Sequence, residues 1–305
     1  MTSIDWRALS ACTRYNLSHL GIMEITGADA GRFLQGQLSC NINELNANKA
    51  SIAAFCNPKG RVISTVLLIK TSNGFWLITP GSLLNKVLNK LKMYVLRAKV
   101  QLNDAGNQWR LTGLSCHADH PVDFLPSTAF ECRLIENLTW VKLPSLSPQY
   151  LVINTVDQAL GHTLELAPLG AEEAWRFQEI SSGFPWFDEA QSEQHIPQML
   201  NIDQLGGVSF NKGCYTGQEI VARTHYLGKV KRQLFLGECS GRQTSNTVFT
   251  IKDAQSQEKL GDILSLQSLN QSSRLLMVLQ TVDAETKNLI LDDIDQTPVK
   301  LIPFQ

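Results

Sequence analysis

The 305-residue sequence contains no run of about twenty apolar residues, the length a helical membrane span requires. Its first ten residues include Asp5, Trp6 and Arg7 and lack the apolar core of a secretory leader, so a cytoplasmic location is expected. An excess of either charge sign is missing as well: Lys+Arg number 27 and Asp+Glu 28, a formal net charge of −1. That balance argues against a dedicated nucleic-acid binder, which carries a basic excess to neutralise phosphates. A local patch is left open, and no residue pattern supports direct RNA contact. None of the seven cysteines (12, 40, 56, 116, 132, 214 and 239) stands in a CxxC pair, which argues against the usual structural zinc site. Their odd number and wide spread do not resemble a disulfide framework, so mostly reduced thiols are expected. Internal repeats and low-complexity segments are absent.

What is present is an ordinary globular composition, 43% hydrophobic and 18% charged, long enough for about two domains. Residues 50–56 and 61–70 are apolar, β-rich runs around Asn57-Pro58-Lys59-Gly60, which predicts a hairpin. Phe75–Thr79 reads as the next strand. Ser82 reads as the N-cap of a helix carrying Leu84, Val87, Leu88, Leu91 and Val95 on one face. Its other face holds Lys86, Lys90 and Lys92, expected to be solvated. Strands are predicted at 98–103, 108–115 and 150–155, and a helix at 171–182 that Gly183 and Pro185 end. Residues 116–149 show only a weak pattern. Short β-like runs at 233–239, 247–252, 260–268, 274–281 and 298–304 suggest a small antiparallel barrel or sandwich. The expected domains are 1–228 and 229–305.

The most unusual segment is Asn211-Lys212-Gly213-Cys214-Tyr215-Thr216-Gly217-Gln218-Glu219. Two glycines bracket a cysteine, so the backbone can turn tightly and approach a ligand. Cations nearby lower a thiol's pKa, and Lys212 and Arg223 lie two before and nine after Cys214 in sequence. A cysteine is otherwise a small, inert core residue, and both readings of Cys214 stay open on the residues alone. Cys116-His117-Ala118-Asp119-His120 is read as a surface loop rather than a metal cluster. His195 and His225 are read as hydrogen-bonding structural residues, and Lys229-Val230-Lys231-Arg232 as a solvated strand start.

The string Lys-Gly-Cys-Tyr-Thr-Gly-Gln-Glu at 212–219 resembles the signature of the YgfZ family, relatives of the glycine-cleavage T-protein. The resemblance extends through Leu205-Gly206-Gly207-Val208-Ser209-Phe210 and Ile220-Val221-Ala222-Arg223. It includes Phe33-Leu34-Gln35-Gly36-Gln37 and Cys56-Asn57-Pro58-Lys59-Gly60-Arg61, blocks shared across the T-protein superfamily. It covers roughly residues 16 to 235, with gaps across 104–168, and implies an α+β, GcvT-like folate-binding architecture with a C-terminal antiparallel β-barrel domain. It also implies tetrahydrofolate or a one-carbon derivative as cofactor. Iron–sulfur client proteins or assembly machinery are the implied partners, tRNA-modifying enzymes among the clients. Cys214, with Lys212, Tyr215, Gln218 and Glu219 of the signature, forms the implied working set. Cys214 serves either as a transient cluster ligand or in thiol–folate chemistry, and no stable metal site is expected.

A pterin offers N–H donors that a carboxylate can accept and a flat face for an aromatic ring. Trp175 and Glu179 are four apart on the predicted helix, with Arg176 between them. In the T-protein relatives an Arg-x-x-Glu followed by Gly-x-Pro forms the pterin end of the site, and Arg176, Glu179, Gly183 and Pro185 fit that pattern. The bland alternatives are a surface carboxylate for Glu179 and a core anchor for Trp175. Arg223 and Lys212 are assigned either to the glutamate tail of folate or to tuning Cys214.

The aminomethyltransferases of the superfamily need an acid near the start of the helix after the third strand. From Leu77 to Val100 this sequence has no Asp or Glu, so aminomethyl transfer is not expected. A divergent one-carbon transferase remains the alternative, should another segment supply the acid. A folate-binding scaffold with an inert cysteine is the third reading.

Overall fold

The computed structural model describes residues 4–119, 122–157, 164–228, 230–243 and 250–305. The chain begins with β1 (Cys12–Asn16), β2 (Leu20–Thr26) and α1 (Ala30–Gln35). The predicted hairpin follows as β3 (Ser51–Cys56) and β4 (Val62–Lys70), then β5 (Gly74–Pro80), α2 (Gly81–Val95) and β6 (Gln101–Asp104). Next come β7 (Trp109–Cys116), β8 (Cys132–Ile135), β9 (Leu138–Lys142), β10 (Gln149–Thr155) and α3 (Glu172–Ser181). The remainder is α4 (Gln218–Leu227), β11 (Arg232–Ser240), β12 (Thr250–Asp253), β13 (Lys259–Leu269), β14 (Ser272–Gln280), α5 (Thr281–Thr286), β15 (Leu289–Leu291) and β16 (Lys300–Ile302).

These strands form three sheets, ordered β3-β4-β5-β2-β6, β1-β7-β10-β9-β8 and β15-β12-β13-β14-β11-β16. The first two interleave: β1 belongs to the second sheet, β2 to β6 to the first, and β7 returns to pair with β1. The chain therefore crosses between sheets in the short turn 17–19. The third sheet is a curled antiparallel half-barrel, with β15 and β16 as its edges rather than a closed ring.

β4 and β5 are buried along almost their whole length, as expected of strands covered on both faces. One face packs with α2 through Leu83, Leu84, Val87, Leu88 and Leu91. The same cluster takes in Leu234, Leu236, Leu264, Leu276 and Val278 of the half-barrel. α3 lies against β13 and β14, with Phe177 under the Arg274 guanidinium at 4.7 Å.

Several sequence expectations are corrected. Ser82 does not cap α2; Pro80 precedes the helix and Ser82 lies in its first turn. Lys86 and Lys90 reach Glu193 at 3.7 and 3.2 Å instead of facing only solvent. Cys12 and Cys116 stand opposite each other in the β1–β7 ladder and are disulfide-bonded, a pair the sequence did not indicate, while the other five cysteines are free, in keeping with mostly reduced thiols. The weak stretch 116–149 contains the hairpin of β8 and β9. Residues 247–249 of a predicted strand, the expected boundary residue Lys229, and His120 lie outside the described residues. No described helix is long and apolar enough to cross a membrane.

Candidate functional site

A cavity of about 220 Å³ opens where the 17–19 turn, the start of α2 and the C-terminal half of α3 meet. α3 begins with Glu172 and Glu173 in its first turn, where carboxylates complement the helix dipole. Glu172, Arg176 and Glu179 recur at i, i+4 and i+7, so they share one face. Gly183 then turns the chain out with φ +76°, a conformation that favours glycine, and a Cβ there would meet Phe304 at 2.6 Å. This delivers Phe184, Trp186 and Phe187 to the cavity wall.

Glu179 is 5% exposed and lines the cavity. Its Oε2 lies 3.0 Å from His19 Nε2, while its Oε1 is buried without a hydrogen-bond partner. His19 Nδ1 lies 2.9 Å from Glu172 Oε1, and Ser18 Oγ donates to Oε2 of the same carboxylate at 2.6 Å. Burial pushes Glu172 up, but the Ser18 hydrogen bond and the charges of His19 and Arg176 outweigh it and hold the carboxyl below its ordinary value. At the other rim Ser82 Oγ donates to Asp188 Oδ1 at 3.1 Å, and both residues line the cavity.

Trp175 is not at the cavity. It is fully buried, and its ring packs against Tyr15 at 5.4 Å between centroids, so it is the core anchor of the bland alternative. A helical face is about 100° wide, and the i, i+4 pair Trp175 and Glu179 straddles its edge. Trp186 is the tryptophan that lines the cavity.

The signature lies elsewhere. Thr216 N donates to Gly36 O at 3.2 Å, and Gly217 seats against Asn57 and Gly60 of the β3–β4 turn. Lys212 Nζ donates to the carbonyls of Leu38 and Cys40 at 2.8 and 2.7 Å and lies 5.1 Å from the Tyr215 ring centroid. Burial pulls its ammonium down to about 8. Lys212 thus clamps the segment to residues 38–40, and no described hydrogen bond or ion pair joins it or Arg223 to Cys214. Tyr215 is buried, and its phenol is pushed up first by burial and then by the charge of Cys56. Gln218 opens α4; Glu219 is in its first turn, and Glu219 and Arg223 are exposed. Cys214 itself is exposed, and a Cβ built on Gly213 meets nothing within 4 Å. The cavity lining and these partners of the signature have no residue in common.

His195 is buried and its Nε2 lies 3.2 Å from Gln191 Oε1, while His225 stacks on Phe210 at 3.7 Å. His195 thus makes the hydrogen bond expected of it, whereas His225 is exposed and its described contacts are ring contacts. Among the described residues no cluster of His, Cys, Asp or Glu could hold a metal. Sequence reasoning missed His19, Glu172, Ser82 and Asp188. The 172–176–179 spacing carried a signal for Glu172; nothing in the spacing links residue 19 to α3.

Residues 6–115 match the family model of the GCVT N-terminal domain. The aminomethyltransferase T of the glycine cleavage system from Bartonella henselae shares the fold at a TM-score of 0.74 and 12% identity, over 97% of this chain and 87% of that one. The fold is therefore that of the T-protein class. The tRNA-modifying protein YgfZ of Sodalis glossinidius (strain morsitans) is 32% identical over 297 residues, covering 91% of this chain and 88% of that protein. That of Colwellia psychrerythraea (strain 34H / ATCC BAA-681) is 30% identical over 276 residues, covering 88% and 85%. The chain belongs to the YgfZ family.

Proposed function

We propose that the protein is a cytoplasmic tetrahydrofolate-binding accessory factor. It supports iron–sulfur cluster assembly or repair in client enzymes, those that modify tRNA among them, through the thiol of Cys214. The observation that carries the folate part is Glu179: a buried carboxylate with one oxygen unpartnered at a cavity wall is costly unless a ligand donates to it. Phe184 and Trp186 supply the aromatic face, and Arg176 a cation at the rim. At about 220 Å³ the cavity is smaller than the roughly 300–1,000 Å³ of whole-ligand sites, which suits the ring end of a folate with its tail outside. The relatives' name supports clients in tRNA modification, and the exposed thiol supports the role of Cys214.

Tetrahydrofolate titrated against tryptophan fluorescence should bind one site through quenching of Trp186. Glu179→Gln should weaken it about tenfold to a hundredfold, since a hydrogen bond to a charged group contributes roughly 1.5–3 kcal/mol. Binding absent up to millimolar ligand would remove the folate assignment, and an unchanged dissociation constant in the variant would release Glu179 from it.

Asp188 favours a second reading. It brings a carboxylate to the first turn of α2, the place where no acid occurs between Leu77 and Val100. A one-carbon transferase would use it to handle the substrate amine. Transfer detected with purified partner proteins and abolished in Asp188→Asn would favour this reading; its absence leaves the accessory role.

A further inference from the structure

Both ring nitrogens of His19 face carboxylates, at 2.9 Å from Glu172 and 3.0 Å from Glu179. A neutral imidazole has one N–H and one lone pair; only the imidazolium has two donors. Two such contacts therefore need one proton more than a neutral ring and two carboxylates hold together. Glu172 also accepts from Ser18, whereas His19 Nε2 is the one described partner of the Glu179 carboxylate. The charged groups that act on the ring are Glu172, Arg176 and Glu179, all on α3. Asp188 lines the same cavity from the segment after α3, while α2 and β13 bring only Ser82 and Ser265. Burial pulls the ring downward, but the hydrogen bond and charge of Glu179, aided by Glu172 and opposed by Arg176, leave it raised.

We propose that Glu172, His19 and Glu179 form a one-proton relay in which His19 is a positioning residue. It donates to Glu179 Oε2 and leaves Oε1 free to accept an N–H from the edge of a guanidine- or amidine-type heterocycle. The proton sits on the ring, shared toward both carboxylates, so the wall presents an acceptor and the relay carries one net negative charge. The ligand class rests on the folate reading; the relay rests on the ring geometry alone.

The first measurement reads the ring without any ligand. In the intact protein, NMR of the His19 imidazole nitrogens should show both protonated at neutral pH, with a titration midpoint above the ordinary value of about 6.5. Glu172→Gln, at a partly exposed position, should fold and lower that midpoint. A ring that titrates at or below its ordinary midpoint, or an unchanged midpoint in Glu172→Gln, overturns the relay. The second measurement titrates tetrahydrofolate against His19→Ala and His19→Gln. Affinity should fall about tenfold in the alanine variant and largely recover in the glutamine variant, whose amide N–H can still donate to Glu179. An equal loss in both variants overturns the positioning role. A ring that titrates as stated in a protein that binds no tetrahydrofolate supports the relay and removes the folate reading.

Discussion

A thiol reacts as its thiolate, and burial works against that form at four of the free cysteines. It pushes Cys40 and Cys239 up to about 11 and Cys56 and Cys132 up to about 12. Cys214 is the exposed one. It should be alkylated fastest by a small electrophile, and Cys214→Ser should remove the fast phase while leaving the fold and tetrahydrofolate binding intact. In a strain lacking the protein, that variant should fail to restore iron–sulfur enzyme activities; full restoration would make the thiol dispensable. His195 governs a different property. Burial, opposed by Asp262 and aided by Arg61 and Arg232, pulls its ring down to about 4. Between that value and an unfolded value of about 6.5 the unfolded chain holds a proton that the folded one lacks, so stability falls as pH drops through this window. The full difference is about 3 kcal/mol, and denaturant titrations across the window should show a flatter acid limb in His195→Gln.

At the level of elements, α4 is fixed by one close approach at its start. Gly217 has φ +84°, and a Cβ there would stand 2.5 Å from Asn57 O and 2.9 Å from Gly60 Cα. Gly217→Ala should therefore cost more than about 1–3 kcal/mol, the strain of an unfavourable backbone conformation with a clash added. Gly213→Ala, with open space around it, should stay within about 0.5 kcal/mol. Equal thermal midpoints for the two variants would contradict this placement. The contrast also shows what the sequence could convey. The glycines announced a tight turn, and the hairpin around Asn57-Pro58-Lys59-Gly60 was legible from turn chemistry. The partner that makes Gly217 necessary lies some 160 residues earlier and left no local trace. The β8–β9 hairpin was hidden because Glu136 and Asn137 take the positive-φ turn positions that Asn-Gly usually marks. The disulfide was hidden because β1 was not read as a strand, so nothing set Cys12 opposite Cys116. The carboxylate of Glu179 was legible through its motif; its histidine partner depends on the crossing between two sheets.

Across the whole molecule, the half-barrel of residues 232–302 does not keep its core to itself. Leu234, Leu236, Leu264, Leu276 and Val278 belong to the same buried cluster as α1, α2 and the first sheet, while Ile263, Leu275, Met277 and Leu279 face a separate one. Alternate residues of β14 thus serve two cores, as the period of two along a strand dictates. If the shared cluster is an energetic unit, damage at the half-barrel must be felt at the other end of the chain. Leu276 is fully buried in that cluster, and Leu276→Ala removes its methyl groups at a cost of about 2–5 kcal/mol. All six tryptophans (6, 76, 109, 140, 175 and 186) lie in the chain before the half-barrel, so their fluorescence reports mainly on that part of the molecule. The expected result is one unfolding transition in which fluorescence and far-ultraviolet circular dichroism move together to lower denaturant in the variant. Leu275→Ala, in the other cluster, provides the comparison within the same strand: a damaged private core should be felt through the half-barrel first. A tryptophan transition left in place by Leu276→Ala, while the dichroism signal splits, would mean that the half-barrel unfolds by itself and that the shared cluster is contact without coupling.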